Sequence, residues 1–131
     1  MRTLIVEDDF TCRLLLLEIL KNYGSVHIAA NGKEAVEMTR IALETGEPYD
    51  LICLDIMMPE MDGQEALRMI REQETARGIR STQGARIVMM TALDDVHSVI
   101  NAFSKLCDGY LVKPIKKTAL LEKVRGLGLI D

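Results

Sequence analysis

Apolar and polar positions follow two rhythms along the chain. Short continuous apolar runs recur at intervals: Leu4-Ile5-Val6, Val26 to Ala29, Leu51-Ile52-Cys53-Leu54, Ile87 to Met90, and Tyr110-Leu111-Val112. Unbroken runs of this length suit strands buried on both faces, as in a parallel sheet. Between them the apolar residues fall three and four apart. Phe10, Leu14, Leu17 and Lys21 mark a first helix, with Asp9 or Thr11 near its start and Gly24 beyond its end. Ala35, Met38 and Ala42 mark a second after an Asn31-Gly32 turn, and Ala66, Leu67 and Ile70 a third after Gly63. Val96, Val99, Ile100 and Phe103 follow Asp94-Asp95, two acids suited to a helix N-terminus, and Leu120, Leu121, Val124 and Leu127 close the chain. Five strand–helix repeats predict right-handed crossovers and a three-layer α/β sandwich. The stretch from Glu72 to Gly84 is expected to be a helix end and a loop.

Composition narrows the class. The 131 residues suit one domain. Apolar residues make up 48%, enough for a core, and aromatics only 4%, so aliphatic residues and Met must fill it. The net charge is −4 and no Lys/Arg block occurs, which argues against direct binding of nucleic acid. No apolar stretch nears the roughly 20 residues of a membrane span. Glu7 comes too early for a signal peptide, so the expected location is cytoplasmic, with no membrane partner. Cys12, Cys53 and Cys107 are far apart and odd in number; they read as reduced, mostly buried thiols. His27 and His97 lack companions at metal-ligand spacing.

The candidate chemistry lies where the apolar runs stop. Glu7-Asp8-Asp9, Asp55, Thr91 and Lys113 each stand immediately after a predicted strand. In a doubly wound parallel sheet the C-terminal strand ends share one edge, and ligands bind there. Carboxylates brought together repel one another unless a cation joins them. Only oxygen ligands are on offer, so Mg²⁺ is the natural guest. Lys113 and the Thr91 hydroxyl add donors for an anion beside it. That set suits phosphoryl transfer to an Asp side chain, a reaction governed by positioning and charge neutralisation. Asp55, ending the central strand, is the better nucleophile candidate, with Glu7 and Asp8 holding the metal.

In Val6-Glu7-Asp8-Asp9, the run from Leu54 through Asp55 and Pro59 to Gly63, Met90-Thr91-Ala92, and Gly109-Tyr110-Leu111-Val112-Lys113-Pro114, the chain resembles the receiver domains of two-component response regulators. The resemblance covers residues 2–130. It implies a (βα)5 flavodoxin-like, chemotaxis-regulator-like fold with strand order 2-1-3-4-5. It implies that Asp55 accepts a phosphoryl group from a phosphohistidine on a sensor histidine kinase or a histidine phosphotransfer protein. Asp8, Asp55 and the Met57 carbonyl would hold Mg²⁺, with Glu7 acting directly or through water. Arg13 sits seven residues after Val6, as the family often has it, and this resemblance implies Glu7-Asp8 rather than Asp8-Asp9 as the acid pair, with Asp9 left as a helix cap. Lys113, Thr91 and the Ala92 amide would bind the phosphate, and Thr91 with Tyr110 would form a switch that changes the surface around the fourth helix, fifth strand and fifth helix. A cis Lys113–Pro114 bond is also implied. Leu106-Cys107 departs from the small residues usual at that place. By the same resemblance Met57 and Leu93 would flank the path of an attacking water, and both are apolar, so slow self-dephosphorylation is expected.

Two competing readings, a cofactor binder and a phosphatase, fit less well. A flavodoxin-type cofactor binder would need a phosphate-cradling loop after the first strand, where three acids stand. A haloacid-dehalogenase-type phosphatase would need a second Asp where Met57 stands. The alternative reading is a receiver-like interaction module that works without phosphorylation; such a module should have lost Asp55, Lys113 or the acid pair. The expectation is a single receiver over residues 1–131 that is not an enzyme, has no output domain in this chain, and passes its signal to a downstream protein target or an output domain elsewhere. The kinase, the target and any dimerisation on phosphorylation are left open.

Overall fold

The unbroken apolar runs are realised as the strands of a five-stranded parallel sheet. The computed structural model describes residues 1–58, 61–80, 83–92, 97 and 106–131. The fourth helical pattern with its Asp94-Asp95 start, together with Leu93, Pro59, Glu60 and Ser81, lies outside the described residues. The strands are β1 (Thr3–Val6), β2 (Val26–Ala29), β3 (Leu51–Asp55), β4 (Arg86–Thr91) and β5 (Gly109–Val112), in spatial order β2-β1-β3-β4-β5. Every neighbouring pair is parallel, as the unbroken apolar runs require.

Four described helices cover the two faces: α1 (Phe10–Leu20), α2 (Gly32–Glu44), α3 (Gly63–Ala76) and α4 (Lys117–Gly126). Leu4, Val6, Ile52, Leu54 and Met89 point to one face and pack with α2 and α3 through Ala35, Leu67 and Ile70. Ile5, Cys53, Val88, Met90 and Leu111 point to the other and pack with α1 and α4 through Leu16, Leu20, Leu120 and Val124. The expected three-layer arrangement and strand order are therefore present.

Three helices start on an Asx cap. Cys12 N–H donates to Asp9 Oδ2 at 3.0 Å, Glu34 N–H to Asn31 Oδ1 at 2.8 Å, and Glu65 N–H to Asp62 Oδ1 at 2.9 Å. Asn31-Gly32 is thus a cap and first helical residue, not a separate turn. The expected stripe on α1 is corrected. Phe10 is 66% and Leu14 45% exposed, Lys21 is also exposed, and only Leu17 of that set is partly buried. The buried side is Leu16, Ile19 and Leu20. Four consecutive leucines, Leu14 to Leu17, allow two registers at helical spacing, and only contact with the sheet chooses between them. Among the cysteines Cys53 alone is buried; Cys12 and Cys107 are half-buried.

A buried ionic network escaped the sequence reading. Arg71 donates to Glu74 Oε1 at 2.7 Å, to the Ala85 and Leu106 carbonyls at 2.8 Å each, and to Asp108 Oδ2 at 2.9 Å. Glu74 Oε2 in turn accepts from Ala85 N–H at 2.8 Å. Charged residues near the end of an amphipathic helix normally face water, so nothing local marks this pair as internal.

Candidate phosphoacceptor site

Alternation along the strands decides which strand-end residues meet. Ile5, Cys53 and Leu111 face the α1–α4 side. Two residues further on, Glu7, Asp55 and Lys113 inherit that side. The ladder carries on past the strands to hold them: Glu7 N–H donates to Ala29 O at 3.1 Å, and Lys113 N–H to Thr91 O at 2.8 Å. The three side chains converge. Lys113 Nζ lies 2.7 Å from Glu7 Oε1 and 3.1 Å from Asp55 Oδ1. Glu7 and Asp55 are buried, whereas Asp8 is exposed at the rim. One carboxylate oxygen from each of Glu7, Asp8 and Asp55 lies within 4.8 Å of the other two.

The charges are strained by burial and proximity. For Asp55, burial and then the neighbouring Glu7 push the carboxyl up to about 7, with Lys113 opposing. For Glu7, burial pushes up, but hydrogen bonding with Asp55, Lys113 and Cys12 and with the Asp9 amide prevails and holds it at about 2. The physical content is a carboxyl pair that shares a proton until something more positive arrives. Burial lowers the Lys113 ammonium, but its two carboxylate partners outweigh that and raise it, so it stays charged.

The site fits a hard divalent cation. Glu7 Oε1 is buried and, beyond its ion pair with Lys113, has no hydrogen-bond partner. One ammonium cannot balance three carboxylates, and the donors are all oxygen. The Met57 side chain is 71% exposed and its thioether is soft, which leaves the main-chain carbonyl as the group this residue can offer.

The remaining candidates fall nearby in different ways. Asp55 and Thr91 are the last residues of β3 and β4, one position earlier than expected. Thr91 is buried and its hydroxyl donates to the Ala92 carbonyl at 3.2 Å; Ala92 is exposed. Thr91 shares the parity of Met89, so it belongs to the opposite face from Asp55. Tyr110 packs on that same face, and β4 pairs it with Met89 while Thr91 pairs with Val112. The Lys123 ammonium sits 5.9 Å from the Tyr110 ring centroid. The Lys113–Pro114 bond is cis. Asp9 caps α1 and lies outside the acid cluster.

Cys12 also faces the site and was not foreseen. Burial and then hydrogen bonding to Glu7 push its thiol up to about 12, so it stays protonated and donates toward that carboxylate. The signal was available: a helix that begins beside a strand-end site turns its first-turn residues toward it.

The family model of the response regulator receiver domain matches residues 3–125. The chain belongs to the response regulator receiver domain family. Among curated relatives, this receiver is 36% identical over 127 residues to the regulatory protein VanRB of Enterococcus faecalis, covering 96% of the chain and 51% of that protein. It is 34% identical over 137 residues to probable histidine kinase 2 of Oryza sativa subsp. indica, covering 97% of the chain and 13% of that protein. The receiver thus spans only part of the curated relatives it matches. Among solved structures it is similar to the Borrelia burgdorferi CheX–CheY–BeF3–Mg²⁺ complex, with a TM-score of 0.82 at 28% identity, covering 98% of this chain and 89% of that one. It is also similar to the complex of the Saccharomyces cerevisiae histidine phosphotransfer protein Ypd1 with the Ssk1 receiver domain, with a TM-score of 0.81 at 32% identity, covering 98% and 88%. No helix among the described residues is long and apolar enough to cross a membrane.

Proposed function

We propose that this receiver is a phosphoacceptor in which Asp55 takes a phosphoryl group from a phosphohistidine. The observation that carries the reading is the convergence of Asp55, Glu7 and Lys113 on one face of the strand-end edge, with Asp8 beside them. An Asp55 oxygen attacks phosphorus, the P–N bond breaks, and the imidazole leaves with a proton from solvent. Glu7, Asp8, Asp55 and the Met57 carbonyl would hold Mg²⁺, which supplies charge neutralisation at the phosphoryl oxygens. Lys113 carries a positive charge 3.1 Å from the acceptor oxygen and is placed to pair with the phosphate. The Thr91 hydroxyl and the Ala92 amide supply donors from β4. Thr91 drawn toward the phosphate would shift Tyr110 on the neighbouring strand and change the face around β5 and α4, a two-state equilibrium biased by differential contacts.

The donor is a sensor histidine kinase or a histidine phosphotransfer protein, and the readout is a downstream protein or an output domain. The chain accepts and slowly loses phosphate; it turns over no substrate. Phe10, Leu14 and Leu15 are exposed on α1, whose first turn borders the site, and offer an apolar surface to a donor reaching over that edge. A receiver-like module that works without phosphorylation has no observation in its favour, since no member of the cluster is missing.

Acetyl phosphate with Mg²⁺ should label the protein, whereas EDTA or Asp55→Asn should abolish labelling. Label retained in Asp55→Asn contradicts the proposal. The exposed, apolar Met57 cannot orient a water at the phosphoryl group, so phosphate release from the labelled protein should be slow and Met57→Asn should hasten it. Release within seconds from the wild-type protein rejects that part.

A further inference from the structure

The eight methionines of the chain meet solvent very unequally. Met89 and Met90 are fully buried in β4. Met38, Met58 and Met61 pack against one side of the core and Met1 against the other. Met69 on α3 is 36% exposed, whereas Met57 is 71% exposed. Met57 also stands two residues beyond Asp55. The β3 ladder continues past the strand, since Ile56 N–H donates to Met90 O at 3.2 Å. Ile56 is buried with Ile52 and Leu54 on the α2–α3 face. The next side chain in the alternation, Met57, therefore returns to the side of Asp55. Two residues of chain span at most about 7 Å, which a methionine side chain bridges to reach the space in front of that carboxylate. Its thioether is only a weak hydrogen-bond acceptor. Oxidation to the sulfoxide turns it into a polar group.

We propose that Met57 is an oxidation site that sets the lifetime of the phosphorylated state: its sulfoxide holds the water that hydrolyses the phosphoaspartate, so peroxide shortens the signal. The proposal rests on the phosphoacceptor reading of Asp55 given above. In the first step the sulfur of Met57 attacks one oxygen of hydrogen peroxide. An S–O bond forms, the O–O bond breaks, and the departing hydroxide takes the proton from the sulfur-bound oxygen and leaves as water. Sulfur is oxidised by two electrons and the peroxide is reduced by two. In the second step the sulfoxide oxygen accepts a hydrogen bond from a water beside the phosphoryl group. That water attacks phosphorus and the bond between phosphorus and the Asp55 oxygen breaks. Dihydrogen phosphate leaves with both protons of the water, and Asp55 returns as a carboxylate. Sulfoxide reductases reverse the first step, so the slow state is recoverable.

Phosphate release from protein labelled with acetyl phosphate and Mg²⁺, with and without prior treatment with hydrogen peroxide, tests this. Peptide mass spectrometry locates each sulfoxide, and Met57 should oxidise ahead of Met69. Release should then quicken by about tenfold, the worth of one net hydrogen bond. Methionine sulfoxide reductase should restore the slow rate and dithiothreitol should not, which separates Met57 from Cys12. Met57→Leu should show one rate before and after peroxide, whereas Met69→Leu should keep the full response. Met57→Gln carries an amide oxygen at about the reach of the sulfoxide and should release phosphate quickly without peroxide. Unchanged or slower release from protein oxidised at Met57 overturns the proposal. So does a response that survives in Met57→Leu, or a sulfoxide at Met69 while Met57 stays intact. Failure of the untreated wild-type protein to take label overturns the phosphoacceptor reading instead, and is seen before peroxide is added.

Discussion

Asp55 is the residue where function and stability oppose each other. As a phosphoacceptor it must be ionised, yet burial and Glu7 push its carboxyl up to about 7. The sign follows from linkage. Between the ordinary value of 3.8 and about 7 the folded chain keeps a proton that the unfolded chain has released. This stabilising contribution is present at low pH and lost as pH rises through that window. Glu7, held at about 2, acts the other way, but only in acid below its ordinary 4.5. The metal-free protein should therefore lose stability between about pH 4 and 7. Asp55→Asn should remove that slope and stabilise the metal-free protein at pH 8 by an amount on the order of 1–3 kcal/mol. Thermal melts in EDTA across this pH range check it. A wild-type curve parallel to that of the variant contradicts it.

At the scale of elements, α1 separates what the sequence makes legible from what it does not. The helix and its end were readable from spacing and residue type, which narrowed the cap to Asp9 or Thr11, because those depend on neighbours within a turn. Which side it buries was not. Leu14 to Leu17 satisfies two stripes, and the choice lies with the sheet, whose strand β1 meets the helix only after folding. Leu16→Ala should cost about 2–5 kcal/mol by cavity formation, and Leu14→Ala less than about 0.5 kcal/mol. Urea denaturation measures both; comparable costs would contradict the face assigned here. The strands were easier. Unbroken apolar runs define them, and their ends mark the site. The same parity that sorts Ile5, Cys53 and Leu111 onto one face could have told that Glu7, Asp55 and Lys113 meet while Thr91 approaches from the other side.

At the scale of the whole molecule, the ligand edge is balanced by an anchor at the opposite end of the sheet. Arg71 ties α3 to the start of β4 through Ala85 and to the approach to β5 through Leu106 and Asp108. Asp108 also accepts from Ile87 N–H at 2.8 Å. No local pattern could announce this, because the partners beyond Glu74 lie 14 to 37 residues away in the chain. Truncating one member of a buried ionic group leaves the rest uncompensated. Arg71→Ala should thus destabilise by about 3–5 kcal/mol, read from urea midpoints at constant slope. A loss below about 1 kcal/mol would mean the network is solvated in solution. The chain's net charge of −4 also takes on a meaning at this scale, since Glu7, Asp8 and Asp55 gather part of the acidic excess into one cluster.

The central claim is that Asp55, among the clustered acids, forms the bond to phosphorus. Borohydride reduction converts an aspartyl phosphate to homoserine, and peptide mass spectrometry then locates it. After incubation with acetyl phosphate and Mg²⁺, homoserine should be found at position 55 and at no other acid of the cluster. Homoserine at Asp8 or Asp9 instead, or label that borohydride does not convert, would contradict the account.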